Sequence, residues 1–239
     1  MRCRPSVHSF KRAVFFALVC VLATGLAAAN PVKPVSPALL KGDPAAGKIK
    51  AESERCLECH DSAGPGLGLS RGQHDDNKFA RLGGQNRHYI VKQIQDFRSG
   101  ARKYDFMQMM ARSISDADLA DIAAYFASAP AMPGNRAPMM PGTGTQNHRQ
   151  GRNLYVNGDP GRQIVACITC HGAAGQGLTG ADNGASPVIG GQTLRYLEKQ
   201  LFDWRSGERS NSAGNTMNAA TKALTDADIL ALAHYISEL

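Results

Sequence analysis

The five residues CLECH, Cys56 to His60, return as CITCH, Cys167 to His171. Two cysteines separated by two residues can each bond one vinyl group of a haem as a thioether. The histidine that follows is placed to ligate the iron, so the pattern is the attachment signature of c-type haem. The reading is a chain with two covalently bound haem c groups, held by Cys56, Cys59, Cys167 and Cys170, with His60 and His171 on the irons. A four-cysteine zinc site explains less, because paired ligands of structural zinc usually stand about 15–20 residues apart, and more than a hundred residues lie between Cys59 and Cys167. A thioredoxin-like redox pair asks for a βαβ surrounding and gives no reason for a histidine after each pair.

Outward from the motifs, the surroundings repeat as well. ARLGGQNRHYIVKQIQDFRSG (80–100) is paralleled by PVIGGQTLRYLEKQLFDWRSG (187–207), and FMQMMARSISDADLADIAAYF (106–126) by TMNAATKALTDADILALAHYI (216–236). Repetition over so long a unit means duplicated domains and not a solenoid of short repeats. In the first half, Asp43-Pro44 suits the start of a helix running towards Cys56. Asn86 caps a helix with Tyr89, Ile90, Ile94 and Phe97 on its inner face and Arg87, Lys92, Asp96 and Arg98 outside, ended by Gly100. Ser115 caps a last helix with Leu119, Ile122, Ala123, Tyr125 and Phe126 inward. The second half repeats the plan, with its first helix expected over Gly151 to Val156. No strand-like alternation appears, so both halves are expected to be all-α.

Glycine-rich polar passages from Asp61 to Lys78, where His74 lies, and from Gly172 to Ser186 read as loops around a haem edge. Residues 130–147 hold prolines and glycines without a period and read as a linker. The expected domains are 30–129 and 148–239, after an extended leader over residues 30–42.

Residues 1–29 read as a cleaved secretory signal peptide, with a basic start (Arg2, Arg4, Lys11, Arg12), an apolar stretch from Ala13 to Leu26 and a small-residue cleavage site at Ala27 to Ala29. The apolar stretch is slightly short for a membrane span, which needs about 20 residues. Export removes Cys3 and Cys20, so every remaining cysteine lies in a haem motif and none is left for a disulfide. The 27 Lys+Arg lose four, leaving 23 against 20 Asp+Glu, a net of +3 in place of +7. Four haem propionates bring that near neutrality, and no basic run interleaved with aromatics suggests nucleic acid as a partner.

The second axial position of each iron separates a carrier from a catalyst, since His with Met gives a low-spin site of raised potential. Met217 is the sole methionine of its half and stands nine residues before Asp226; Met107 stands nine before Asp116. The repeat therefore selects Met107 over Met109 and Met110, with Met110, one turn on, its main rival. Met132, Met139 and Met140 read as incidental to the linker, and His88, His148 and His234 as ordinary surface histidines. Arg98 and Arg205 either pair with propionates or are solvated, with solvation the preferred reading for at least one.

These residues together resemble the dihaem cytochrome c4 family, over nearly all of the chain after the leader. The resemblance rests on both C-x-x-C-H motifs, on GGQ before a Y-x-x-x-Q-x-x-x-[FW]-R-x-G helix in each half, and on the methionine nine residues before the [ST]-D-x-D cap. It implies two tandem class I cytochrome c domains related by a pseudo-twofold axis, His60 with Met107 on one iron and His171 with Met217 on the other. It further implies a periplasmic electron carrier, loosely membrane-associated in some members, taking electrons from a cytochrome bc-type donor towards a haem-copper oxidase. The family usually places a proline whose carbonyl receives the proximal histidine's ring N–H; Pro187 fills that place, but Ala80 stands in the first half. Two other classes remain: the electron-accepting subunit of a dehydrogenase, of flavocytochrome type, and a dihaem enzyme with one open iron.

Overall fold

The computed structural model describes residues 35–60, 79–132, 146–178 and 186–239. Residues 1–29, expected as a signal peptide, the passage from Asp61 to Lys78 with His74, and Met139 and Met140 lie outside the described residues. Among the described residues there are helices and short 3-10 turns but no strand, only an isolated bridge between Asp159 and Ile164.

The first half contains α1 (Pro44–Ser53), α2 (Leu57–His60), α3 (Arg87–Ser99), α4 (Asp105–Ser113) and α5 (Asp116–Ser128). Each boundary has a local cause. Asp43 accepts from the Ala45 amide at 2.9 Å ahead of Pro44, Asn86 accepts from His88 and Tyr89, and Ser115 accepts from the Asp118 amide. Gly100 ends α3 in the left-handed conformation, φ 78°, which costs a residue without Cβ little. Helix α4 had no counterpart in the sequence reading. The presumed extended leader also folds in part: Pro37–Leu40 form a 3-10 turn that buries Leu39 in the core, and Arg87 donates to the Leu40 carbonyl.

The second half has α6 (Gln146–Asn157), α7 (Ile168–His171), α8 (Leu194–Ser206), α9 (Thr216–Thr221) and α10 (Asp226–Glu238). Helix α6 begins five residues before the expected Gly151, because its polar first turn carries no apolar signal. Thr225 and Asp228 form a capping box at the start of α10.

Each half closes around a crossing of its first and last helices, α1 on α5 and α6 on α10. The crossings are so close that a Cβ on Gly47 would stand 1.9 Å from the Asp121 carbonyl oxygen, and one on Gly151 would stand 2.0 Å from that of Ala231. Around them lie two separate cores. One includes Ile90, Val91, Leu119, Ile122 and Phe126; the other includes Leu154, Tyr155, Leu197, Ile229, Leu232 and Ile236. The inner face of α3 differs from expectation in one respect: Tyr89 turns to the second half, where its hydroxyl accepts from Arg209.

The halves are joined reciprocally through the GGQ glutamines. Gln85 donates Nε2 to the Val188 carbonyl and accepts the Val188 amide on Oε1, both at 2.9 Å. Gln192 does the same to Arg81, donating to its carbonyl at 3.0 Å and accepting its amide at 2.8 Å. Arg81 and Val188 are repeat equivalents, each two residues before its GGQ, so the exchange is that of a pseudo-twofold axis. Met132 is no incidental linker residue: it is buried here, and its sulfur receives Gln192 Nε2 at 3.4 Å.

Candidate haem-binding sites

Each C-x-x-C-H motif folds as one tight helical turn. The His60 amide donates to the Cys56 carbonyl at 2.8 Å and the His171 amide to that of Cys167 at 2.9 Å. Positions i, i+3 and i+4 of a helical turn share a face, so both sulfurs and the imidazole of each motif are offered on one side. Cys56 packs against the first core and Cys167 against the second. The two pairs therefore belong to separate sites and do not gather into one four-cysteine zinc site. Burial pushes the Cys56 and Cys167 thiols up to about 11, so both are protonated at neutral pH. Cys170 is exposed, and the four cysteines form no disulfide.

The proximal histidines are oriented by backbone carbonyls. His60 Nδ1 donates to the Ala80 carbonyl at 2.7 Å, and His171 Nδ1 to that of Pro187 at 3.0 Å. A carbonyl only accepts, so Nδ1 carries the proton and the lone pair lies on Nε2, the nitrogen that iron takes. Burial, with Arg102 nearby acting in the same direction, lowers the proton affinity of His60 against the opposing Ala80 carbonyl. A ring oriented by its Nδ1 bond, one helical turn from two thiols, fits an attached haem in both halves. The alanine in the first half makes the same bond as the proline in the second. Around His171, Tyr155 reaches from α6 to donate to the Gly172 carbonyl at 2.6 Å, and the Gly177 amide returns to the His171 carbonyl.

Met107 lies near the start of α4 and Met217 near the start of α9, both half-buried. Met110 is also half-buried, whereas Met109 is 58% exposed. The Met217 segment is pinned by its neighbours: Ser212 accepts the Met217 amide, Thr221 donates to the Met217 carbonyl, and Asn218 donates to the Trp204 and Arg209 carbonyls.

Arg98 and Arg205 are not solvated as preferred from sequence. Arg98 donates to the carbonyls of Ala111 and Ile114 and to the Asp116 carboxylate. Arg205 likewise holds the Leu224 carbonyl and the Asp226 carboxylate. Each ties its half's third helix to the corner between the methionine helix and the last helix. The distant histidines are paired too: His148 and His234 both lie against Glu238, at 3.3 and 3.1 Å.

The comparisons agree with this architecture. The family model for cytochrome c matches residues 45–130 and again 151–239. Cytochrome c4 of Pseudomonas aeruginosa is 36% identical over 200 residues, covering 83% of this chain and 89% of its own. The thiosulfate dehydrogenase electron acceptor of Stutzerimonas stutzeri is 33% identical, covering 77% of this chain and 78% of its own. The crystal structure of reduced recombinant cytochrome c4 from Pseudomonas stutzeri superposes with a TM-score of 0.67 at 33% identity, covering 83% of this chain and 99% of the other. With a duplicated helical domain and a c-type haem motif in each copy, the chain belongs to the dihaem cytochrome c4 family and is an electron carrier, not an enzyme.

Proposed function

We propose that the chain is an exported, periplasmic carrier in which His60 and Met107 ligate the first iron and His171 and Met217 the second. The observation that carries this reading is the pair of Nδ1-to-carbonyl bonds at His60 and His171, which turn both rings the same way in both halves. The register of the repeat supports the methionines, each on the helix preceding a last helix of the same design. The bound haems supply one-electron exchange at iron. The chain holds the rings in one tautomer, clamps the methionine corner through Arg98 and Arg205, and brings the halves together through the glutamine clasps. Rigid axial ligands change little between oxidation states, which keeps the reorganisation on electron transfer small.

The donor is then a cytochrome bc-type complex and the acceptor a haem-copper oxidase. Among the described residues no helix is long and apolar enough to cross a membrane. The relative named as a thiosulfate dehydrogenase electron acceptor supports a second reading, in which the donor is such a dehydrogenase. Mixing oxidised protein with each donor separates the two. Rapid reduction by the quinol-oxidising complex, followed by reoxidation by the oxidase, supports the first; rapid reduction by thiosulfate dehydrogenase and none by the complex overturns it in favour of the second.

A further inference from the structure

The methionine helices of the two halves share an inner design and differ outside. On α4, Met107 and Ala111 stand one turn apart on the inner side, with Ala111 buried and Met107 and Met110 half-buried. The opposite stripe, formed by Asp105, Met109 and Arg112 with Phe106 on its flank, is exposed, Met109 at 58% and Phe106 at 51%. Tyr104, at the N-cap of the helix, is a third large exposed side chain. A haem whose iron takes Met107 lies on the inner side of α4 and leaves Met109 uncovered. On α9 the repeat equivalents of Phe106 and Met109 are Thr216 and Ala219, both exposed, one polar and the other small.

The duplication serves as its own control. A helix of the same place and register does without large outer side chains in the second half, so neither iron ligation nor packing of the domain calls for them in the first. Clustered, exposed aromatic and methionine side chains mark a contact surface. The surrounding charges choose the occupant. Lys103 precedes the stripe and Arg112 closes it, both exposed, and among the described residues neither meets a carboxylate. Two cations with the single anion Asp105 favour a surface richer in carboxylates than in cations. Asp105 also weighs against burial of the stripe in lipid, where an unpaired carboxylate is costly, whereas a protein can offer it a donor.

We propose that the stripe of Tyr104, Phe106 and Met109 is the docking surface for a redox protein whose contact face is apolar at its centre and acidic at its rim. On the reading that Met107 ligates the first iron, contact here brings the partner within the width of one helix, about 10 Å, of that ligand. The first haem then exchanges electrons with this partner, and the second haem is reached through the first.

The test is voltammetry of the intact dihaem protein on gold coated with a mixture of methyl-terminated and carboxylate-terminated alkanethiols, which imitates the proposed face. Wild-type protein is expected to adsorb and exchange electrons in a salt-dependent way. Phe106→Thr with Met109→Ala gives α4 the outer residues of α9 and is expected to weaken adsorption about tenfold. The loss should fall most on the wave that Met107→Ala also displaces, with solution potentials and thermal unfolding of the double variant unchanged. Lys103→Gln with Arg112→Gln should remove the salt dependence on the mixed surface and change nothing on an all-methyl one. Adsorption indifferent to the Phe106 and Met109 substitutions would overturn the proposal. So would a wild-type dimer in sedimentation that these substitutions dissolve, which gives the stripe to a second copy. Flotation with phosphatidylcholine and phosphatidylglycerol vesicles that the substitutions abolish would give it to lipid and overturn the proposal as well. Carbon monoxide binding at the first haem of wild-type protein would overturn the ligation beneath it, whereas two closed haems with an indifferent stripe overturn the docking surface alone.

Discussion

Gln85 closes a two-bond ring with the backbone of Val188, and Gln192 closes the same ring with Arg81. The buried side-chain amides of Gln85 and Gln192 pair with the backbone of Val188 and Arg81 in the opposite half, and they make the GGQ motif a joint between the halves. Gln192→Ala would leave the Arg81 amide and carbonyl without these partners inside the interface. A loss of about 1–3 kcal/mol is expected for each unsatisfied buried group. Denaturant unfolding followed at both haems should change from one shared transition to two; a single unshifted transition would show that the clasp does not couple the halves.

Gly47 and Gly151 mark the crossings on which each core closes. Because an added Cβ would lie about 2 Å from a backbone carbonyl oxygen, relief requires moving a helix and not a side chain. Gly47→Ala or Gly151→Ala is expected to cost more than about 3 kcal/mol, in the range of severe core substitutions. The measurement is the unfolding midpoint of each variant, and the half that carries the substitution should unfold first.

The second half carries an acid-sensitive lock. Burial alone would raise the proton affinity of Asp228, whose side chain is 3% exposed. Arg162, the amide and hydroxyl of Thr225, and Gln150 outweigh burial and hold its carboxyl well below the usual carboxylate range. A depressed folded-state value contributes stability above the unfolded pKa of about 4, and that stability is lost as pH falls through the folded value. Asp228→Asn should therefore destabilise the protein at pH 7 by about 1–3 kcal/mol and by less in strong acid. Equal destabilisation at both pH values would contradict the account.

The difference at Ala80 and Pro187 predicts unequal haems. The His60 bond to its carbonyl is the shorter, 2.7 Å against 3.0 Å, and a stronger hydrogen bond from Nδ1 makes the ring a stronger donor to iron. The first haem is expected to titrate at the lower potential. Ala80→Pro should move it towards the second; coincident midpoints in wild-type protein would remove the basis for this difference.

What was legible in the sequence was local. The haem motifs, the caps at Asp43, Asn86 and Ser115, and the stop at Gly100 depend on residues within about a turn of one another, and each lies where the pattern put it. What was hidden depends on partners about a hundred residues away. Lys92 and Asp96 sit on the polar stripe of α3 and read as solvent-facing, yet they are only 16% and 18% exposed because the second half covers them. Helix α4 has no sequence signal of its own at its start, because Tyr104 at its N-cap makes no side-chain cap hydrogen bond. One signal was available: Tyr89, Gln93 and Arg102 recur as Tyr196, Gln200 and Arg209. Polar side chains repeated along and just beyond the same helix in both copies suggest a shared surface, here the one between the halves.

The central claim is that both irons are closed by His and Met. Its most direct test is the optical spectrum of the reduced protein with carbon monoxide, for wild type, Met107→Ala and Met217→Ala. The account predicts no shift in wild type and a shift of half the haem in each variant. A half-haem shift in wild-type protein, or a Met107→Ala variant as closed as its parent, would contradict it, and the second outcome would pass the first iron to Met110.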